Sequence, residues 1–324
     1  MPPRSGGEVV ARVPVKAGKN DPPWKTAADA VVYLLLRLVW ALARAVPLGA
    51  LRRGLEEIAA MIGRLDRRHR RVIDGNLSLA FPEWDEKRRE RAVTAAFRNW
   101  GRIAAEVIHA DEFTGPRMPA EMAELRREVE RLAAGGRGVL VVTAHLANFE
   151  LLARVCGRAT GRRIWVFHRP LKNRFADRFL SRQRAAANVM SLGRGLDVRE
   201  ALRALERGEV VAAPLDQNQP RGHGVFVDFF GVPACTSTML ARLSVASGAA
   251  VLPVFAQWRG DALGIMIGSA IEPPPGVARR GAERATALRD LTRRYTAEIE
   301  AAVRRSPEQW NWAHRRWKTR PEGE

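Results

Sequence analysis

The chain has 324 residues, enough for one large domain or two small ones. Hydrophobic residues make up 46% of it and charged residues 27%, which excludes a disordered or fibrous protein. The formal net charge of +19, mostly from arginine, predicts an anionic partner: nucleic acid, lipid head groups, phosphorylated glycolipids or an acidic carrier protein. Charge alone does not choose among them.

The cysteine content indicates a reducing compartment. Cys156 and Cys235 are the only two cysteines, too few for a disulfide scaffold. Neither has a second cysteine or a histidine at metal-ligand spacing, so we expect no metal site and interpret both as small buried hydrophobic residues.

The most apolar stretch, Ala30–Leu51, is interrupted by Arg37 and Arg44. A bilayer span needs about 20 predominantly apolar residues, and an arginine in mid-span costs about 3 kcal/mol. The arginines therefore favour a helix that lies in the head-group region, with Tyr33 and Trp40 as interfacial anchors. A buried core helix and a single membrane span are the alternatives.

A basic helical region follows, from Arg52 to about His109, and Pro82 divides it into two helices. Its positive charge suits either an acidic carrier protein or anionic lipid. The pattern changes at Gly115, which is followed by proline.

Beyond residue 116, helical patterns alternate with short apolar runs. Gly135-Gly136 and Gly208 stand where left-handed helix ends are expected. The alternation predicts an α/β fold with a central, mostly parallel sheet flanked by helices. The predicted helices are Pro119–Ala134, Asn148–Arg158, Asn173–Ala187, Val198–Arg207, Ser237–Ser247 and 282–305, and the predicted strands are Gly138–Thr143, Ile164–Phe167, Val210–Leu215, Val251–Trp258 and Gly264–Ile267.

These patterns divide the chain into three parts. Residues 1–26 form a flexible arm without the layout of a secretory signal. Residues 27–115 form a helical membrane-associating region, and residues 116–324 form the α/β core, continuous with the preceding helices.

The segment GVLVVTAHLANFELL contains the main catalytic candidate. Apolar Val139–Val142 predicts a buried strand and Asn148–Leu152 begins a helix, so His145 lies in the turn just past the carboxyl end of a strand. Ligands bind at that edge of open α/β sheets. Glu150 follows five residues later, and the two side chains can face each other if His145 folds back from the turn before the helix.

The spacing of histidine and acid is weak evidence by itself, because it recurs twice. His69 and Asp74 lie in an arginine-rich helical run with no strand before it. His223 and Asp228 enter a strand, where residues five apart point to opposite faces. Only His145 has the strand–turn–helix setting.

Acyl transfer to an alcohol needs a base that takes the hydroxyl proton during attack on a thioester carbonyl. His145 can be that base near neutral pH, and Glu150 can fix its tautomer and stabilise the imidazolium. The chain has no Gly-x-Ser-x-Gly elbow and no visibly activated cysteine, which favours direct transfer without an acyl-enzyme. We expect no metal and no cofactor beyond the acyl thioester.

Five stretches, in the same order, resemble the lipid A biosynthesis acyltransferases of the lauroyl/myristoyl type, within the glycerolipid acyltransferase-like superfamily. They are NLSLAFPE at 76–83, the strand with HLANFE, VFHRP at 166–170, PLDQNQPRGHGVFVDFFGVPACTST at 214–238 and PEQWNWAHRRWKTRP at 307–321. The resemblance implies transfer of a fatty acyl chain from acyl carrier protein or coenzyme A to a lipid A precursor. The new chain would join the 3-hydroxyl of an existing acyl chain.

The resemblance also implies roles for single residues. His145 and Glu150 match the catalytic pair. Arg169 matches a motif arginine for the phosphate or head group of the acceptor, which suits a guanidinium fork. Asp216, past the predicted strand Val210–Leu215 and on the same edge as His145, would bind and orient the acceptor or brace the site, and a loop-capping role is the alternative.

Two aromatic segments have two interpretations each. The glycines and phenylalanines at 222–231 suggest a tight hairpin beside the acyl pocket, or plain core. The tail at 310–320 interleaves three tryptophans with cations and suits a membrane interface, where we expect Arg315 and Arg316 to bind substrate. The same texture could bind single-stranded nucleic acid, but the resemblance favours lipid.

We therefore expect an enzyme on the cytoplasmic face of the inner membrane. Its partners would be an anionic glycolipid or phospholipid acceptor, an acyl carrier protein or coenzyme A thioester, and the membrane surface, without nucleic acid. An acyltransferase for another lipid, such as a phosphatidylinositol mannoside, is the first alternative. A non-enzymatic basic protein that binds membranes or nucleic acid is the second, and no nucleic-acid-binding signature supports it.

Overall fold

The computed structural model describes residues 22–167, 171–193, 197–278 and 280–323. The helices within these ranges are α1 (Pro23–Ala45), α2 (Leu48–Leu65), α3 (Arg67–Ala80), α4 (Glu86–Ile108), α5 (Ala110–Phe113), α6 (Met122–Ala133), α7 (Phe149–Thr160), α8 (Arg174–Ala185), α9 (Asp197–Glu206), α10 (Met239–Ser247) and α11 (Ala282–Arg305). The strands are β1 (Val139–Thr143), β2 (Ile164–Phe167), β3 (Val189–Leu192), β4 (Val210–Pro214), β5 (Val225–Phe229), β6 (Val232–Thr236), β7 (Val251–Arg259) and β8 (Ala262–Ile267).

A six-stranded sheet forms the centre of the fold, in the order β3-β2-β4-β1-β7-β8. The first five strands in that order are parallel, and β8 is antiparallel to β7. This confirms the predicted mostly parallel α/β sheet. The sequence patterns missed β3, whose four residues directly follow a helix.

The two faces of the sheet carry separate apolar cores. On β1, Leu140 and Val142 pack with residues of α3, α9, α10 and α11. Their neighbours Val139 and Val141 pack on the opposite face with α5, α6 and α7. Side chains alternate along a strand, so a strand buried on both faces needs the continuous apolar run seen in the sequence. Burying each of these side chains stabilises the fold by about 1.5–3 kcal/mol.

The basic helical region from Arg52 to about His109 divides at one more place than predicted, and the predicted apolar helix Ala30–Leu51 is itself divided between α1 and α2. Pro82 lies between α3 and α4, as expected. A further break separates α2 from α3 at Asp66, whose side chain accepts a hydrogen bond from the backbone N–H of His69. Such a cap satisfies a donor that a helix start would otherwise leave unpaired.

Helix α1 is apolar and exposed, so the interpretation of this stretch as a buried core helix is wrong. Its Trp24–Ala45 segment has a mean hydropathy of 1.6 and is long and apolar enough to cross a membrane. At 1.5 Å per residue, 22 residues measure roughly 33 Å, close to the thickness of a bilayer core. The helix begins inside the predicted arm at 1–26, of which residues 1–21 lie outside the described residues.

The two residues expected to anchor α1 in the head-group region, Tyr33 and Trp40, also contact α8. Tyr33 stacks on Phe175, and Trp40 packs edge-on against Phe179. Arg37 donates to the Tyr33 hydroxyl and lies 5.0 Å from the Phe179 ring centre. The polar and aromatic stripe of α1 thus attaches it to α8, while its leucines and valines remain exposed.

Two predictions about turns are confirmed. Gly136 and Gly208 both have left-handed backbone angles, with φ of 75° and 74°. Strands β5 and β6 form a hairpin with a two-residue turn, Phe230 and Gly231. Their φ angles of 58° and 72° are both positive, as this kind of turn requires to match the twist of the strands. Phe229 and Phe230 of the hairpin belong to the apolar core, as in the alternative interpretation.

Candidate active site

Strand register brings His145 next to Asp216. Strands β1 and β4 are parallel neighbours, with Thr143 opposite Pro214 at their carboxyl ends. His145 and Asp216 each stand two residues beyond that pair, so both lie at the same point of the sheet edge. Backbone geometry therefore places a base and an acid from distant parts of the chain together.

Asp216 accepts three hydrogen bonds. Its Oδ1 lies 2.8 Å from His145 Nδ1, and its Oδ2 accepts from the His145 backbone N–H at 2.8 Å. Trp310 Nε1 donates to the same Oδ2 at 2.8 Å. The carboxylate is buried, with 3% of the residue exposed. A buried charge is tolerated only with such partners.

These contacts set the protonation of the pair. Burial alone would raise the pKa of Asp216, but the charge and hydrogen bonds of His145, with the bond from Trp310, hold the pKa at about 2. The ionised carboxylate can only accept, so Nδ1 of His145 carries the proton and Nε2 holds the lone pair. Burial lowers the pKa of His145, but the charge and hydrogen bond of Asp216 outweigh it and raise the pKa above 6.5.

The turn that carries His145 is held by the C-terminal segment. Ala147 has a left-handed φ of 44°, an unfavourable conformation for a residue with a side chain. Its N–H donates to the carbonyl of Gln309 at 2.9 Å, and the N–H of Asn311 donates to the carbonyl of His145 at 3.0 Å. Asn148 then caps α7, because its side chain accepts from the Leu151 N–H. The C-terminal segment therefore holds the His145 turn in place.

Glu150 has different partners from those we expected. It lies on the first turn of α7, and its two carboxylate oxygens accept from Nε and Nη2 of Arg184, both at 2.8 Å. Arg154 adds a longer contact at 3.5 Å. Burial would raise the pKa of Glu150, but Arg184 outweighs burial and lowers it. The carboxylate that orients His145 in this structure is Asp216, and the expected contact between His145 and Glu150 does not form.

His145 and Glu150 nevertheless open into one cavity, of about 220 Å³, between the sheet and α7. Its walls are mostly apolar, from β1, β2, β4 and α7, and Arg184 lines it as well. Within the described residues, two buried polar atoms of this cavity lack a hydrogen-bond partner: Thr143 Oγ1 and Arg184 Nη1. We name this space the β1/α7 cavity.

Neither cysteine is activated. Cys156 lines the β1/α7 cavity, and burial raises the pKa of its thiol to about 12. Burial also raises the pKa of Cys235. Both thiols therefore stay protonated at neutral pH and are poor nucleophiles, which agrees with direct transfer.

The residues predicted to bind substrate fall into different environments. Asp216 is covered by Trp310 and bonded to His145, and these contacts favour the bracing role over acceptor binding. Arg169 lies outside the described residues. Arg315 is exposed.

Arg316 is fully buried, so the expectation that it binds substrate is corrected. Its guanidinium donates to the carbonyls of Gln217 and Cys235 and to the hydroxyl of Thr236. Burial lowers its pKa to about 10, so it remains a cation that ties loops together.

The tryptophans of the tail are also interior residues. Trp310, Trp312 and Trp317 are 1%, 0% and 6% exposed, so the expected membrane-interface role of these rings is wrong. They pack with Phe229 and Phe230 of the hairpin.

Sequence reasoning missed three members of this site. Arg184 is one of many arginines in a basic helix and carries no local signal. Thr143 reads as part of an apolar strand. The sequence around Trp310 shows an aromatic residue beside cations, and its bond to Asp216 joins residues 94 positions apart.

Comparison with known proteins identifies the family of this chain. A sequence model of the bacterial lipid A biosynthesis acyltransferase family matches residues 22–319. The chain is 31% identical over 269 residues to the lipid A biosynthesis lauroyltransferase of Escherichia coli (strain K12), covering 80% of this chain and 82% of the relative. It is 30% identical over 274 residues to the palmitoleoyltransferase of the same strain, covering 82% and 84%. The myristoyltransferase of that strain is 26% identical over 274 residues, covering 83% and 81%. The chain therefore belongs to the bacterial lipid A biosynthesis acyltransferase family and is an acyltransferase of lipid A biosynthesis.

Proposed function

We propose that the enzyme transfers a fatty acyl chain from an acyl carrier protein or coenzyme A thioester to a hydroxyl of a lipid A precursor, with His145 as the general base. The observation that carries this proposal is the buried Asp216–His145 pair, whose ring opens on an apolar cavity. A base with a fixed tautomer and a raised pKa suits proton abstraction from an alcohol near neutral pH.

The reaction balances without further reactants. The acceptor hydroxyl attacks the thioester carbonyl carbon, and Nε2 of His145 takes its proton as the new C–O bond forms. The tetrahedral intermediate then collapses, the C–S bond breaks, and the imidazolium protonates the leaving thiolate. Asp216 stabilises the imidazolium between these steps.

The negative oxygen of the tetrahedral intermediate needs donors, and the β1/α7 cavity offers two. Thr143 Oγ1 and Arg184 Nη1 are buried and unpartnered among the described atoms, and both residues line the cavity with His145. We assign to Glu150 the role of holding the Arg184 guanidinium in position through its two hydrogen bonds. Donors placed in advance stabilise such charge more than mobile water does.

The apolar walls of the β1/α7 cavity suit the acyl chain of the donor. The three relatives are named for lauroyl, palmitoleoyl and myristoyl transfer, at 31%, 30% and 26% identity. Similarity therefore does not choose a chain length, and thioesters of all three chains are the donors to test.

The exposed helix α1 supports action at a membrane, and we propose the cytoplasmic face of the inner membrane, where acyl thioesters are available. The exposed Arg315, together with Arg169, would bind the anionic head group of the acceptor. A charged fork matches phosphate geometry.

A comparison of His145→Ala with His223→Ala tests the proposal. His223 is exposed and serves as the control. We expect His145→Ala to lose about 10³-fold in acyl transfer to a lipid A precursor, within the range for general bases, and His223→Ala to retain it. Mass spectrometry of the lipid product measures both. Full activity of His145→Ala, or transfer by the wild type to a phosphatidylinositol mannoside instead, would contradict the proposal.

A further inference from the structure

A second apolar space reaches His145 from the other side. This groove, of about 350 Å³, lies between α4 and the C-terminal segment 309–311. Its floor on α4 consists of Trp100, Ile103, Ala104 and Val107. These positions follow the spacing of a helical stripe, so α4 presents a continuous apolar face there.

The two spaces meet at His145. His145 and Phe149 line both the groove and the β1/α7 cavity. The Phe149 ring lies edge-on to the imidazole, with ring centres 4.6 Å apart, and forms part of both walls. A single acyl chain needs one apolar space, so two that converge on one base indicate two chains.

We propose that the groove along α4, the α4 groove, binds the hydroxyacyl chain of the acceptor while the β1/α7 cavity holds the donor chain. This rests on the proposed function, in which the attacking hydroxyl is itself on an acyl chain. The aliphatic chain of the acceptor lies along α4 and brings its 3-hydroxyl to Nε2 of His145.

The position of the α4 groove fits a lipid that enters from a membrane. Its end at Val107 is next to Ile108, whose carbonyl accepts a hydrogen bond from Arg44 of α1 at 3.0 Å. The apolar helix α1 therefore ends beside the groove. The donor's cavity instead lies beneath α7, lined by the sheet.

Two polar side chains around the α4 groove are already engaged, whereas the buried Oδ1 of Asn311 has no hydrogen-bond partner among the described residues. Asn99 donates its amide to the carbonyl of Glu308, and the side chain of Gln309 bonds to the backbone of Trp258. The groove thus offers its contents mainly apolar surface, with polar groups at the end formed by His145 and Asn311, which suits an aliphatic chain that carries a hydroxyl.

Ala104→Trp tests this assignment, because Ala104 is exposed on α4 and a larger side chain there occupies the α4 groove without disturbing the core. We expect the full-length variant to show at least a tenfold higher KM for a lipid A precursor with 3-hydroxymyristoyl chains. The KM for the lauroyl thioester should not change. Ala104→Leu should give a smaller increase, and Ala285→Trp, on the exposed surface of α11, serves as the control.

A second acceptor separates chain binding from head-group binding. With the same glycolipid carrying 3-hydroxybutyryl chains, which are too short to fill the groove, wild type and Ala104→Trp should have the same KM. An unchanged KM for the long-chain acceptor, a higher KM for the donor, or equal losses on both acceptors would overturn the α4 groove assignment. If wild type acylated neither acceptor, the proposed function itself would fail.

Discussion

Two carboxylates flank the turn that carries His145, and their surroundings differ in kind. Asp216, at the end of β4, accepts from the ring and backbone of His145 and from Trp310. Glu150, at the start of α7, accepts from the guanidinium groups of Arg184 and Arg154. A histidine changes its charge near neutral pH, whereas an arginine does not. In the proposed mechanism Asp216 is therefore coupled to the proton that His145 transfers, whereas Glu150 balances a permanent positive charge.

The comparison also shows how misleading sequence distance can be. Glu150 is five residues from His145, and Asp216 is 71 residues away. Glu150 binds Arg184 of α8 instead of His145. Asp216 contacts His145 because β1 and β4 are paired neighbours whose ends are in register. Strand pairing decides which acid partners the histidine.

Asp216→Asn should have the largest effect. An amide has one accepting oxygen for the three N–H groups that now point at the carboxylate, so the imidazole loses its fixed tautomer. We expect kcat to fall by about 10²–10⁴-fold. Because the charge of Asp216 raises the pKa of His145, its loss should also move the acid limb of the pH–rate profile from above pH 6.5 to lower pH.

Asp228→Asn is the matched control, because Asp228 is exposed on β5. The rate is expected to rise with pH through the pKa of His145 in both proteins, since only the neutral imidazole accepts a proton. If Asp216→Asn kept the wild-type rate and the wild-type limb, Asp216 would not be the partner of the base.

Substitutions in the Glu150–Arg184 pair should lower kcat by less than Asp216→Asn and should leave the pH–rate profile unchanged. We expect Arg184→Lys to lower kcat by about 10²-fold, as when one oxyanion donor is removed, and Glu150→Gln to lower it by less. The acid limb should stay in place in both variants, because neither changes the partner of His145. Arg182→Lys, at an exposed position on the same helix, is the control.

A double-variant cycle sharpens the distinction. If Glu150 acts by holding Arg184, the double variant Glu150→Gln/Arg184→Lys should have nearly the same kcat as Arg184→Lys alone. In the double variant Glu150→Gln/Asp216→Asn, the fold-loss in kcat should instead be approximately the product of the losses in the two single variants. The reverse result, with Glu150 coupled to Asp216 and independent of Arg184, would restore a direct pairing of Glu150 with the base.

The sheet was predictable from sequence because buried parallel strands are continuous apolar runs between helical patterns. The turn of His145 followed from the same pattern, and so did the position of Asp216 on the same edge. What local patterns could not provide was contact between distant segments, such as Arg184 with Glu150. Aromatic residues next to cations look alike whether they face lipid or core, so Trp310 and Arg316 required the packed structure.

Trp310→Phe should have the smallest effect on activity and tests whether Asp216 depends on its third donor. A hydrogen bond to a charged group contributes about 1.5–3 kcal/mol, so we expect the free energy of unfolding at pH 7 to fall by about 2 kcal/mol. Trp312→Phe is the matched control. The Trp312 indole donates to the neutral carbonyl of Pro307, so the free energy of unfolding of this variant should fall by less.

The pH dependence of that loss gives the decisive measurement. The pKa of Asp216 is about 2 in the folded protein and 3.8 ordinarily, so its ionisation stabilises the fold above pH 3.8 and this contribution disappears as the pH falls toward 2. Without the Trp310 donor, the pKa of Asp216 in the folded protein should rise toward 3.8. Protonation of Asp216 at low pH then removes less stabilisation than in the wild type. The free energies of unfolding of wild type and Trp310→Phe, measured with urea, should therefore differ less at pH 2 than at pH 4. A difference that stays constant over this range would mean that Trp310 acts only by packing.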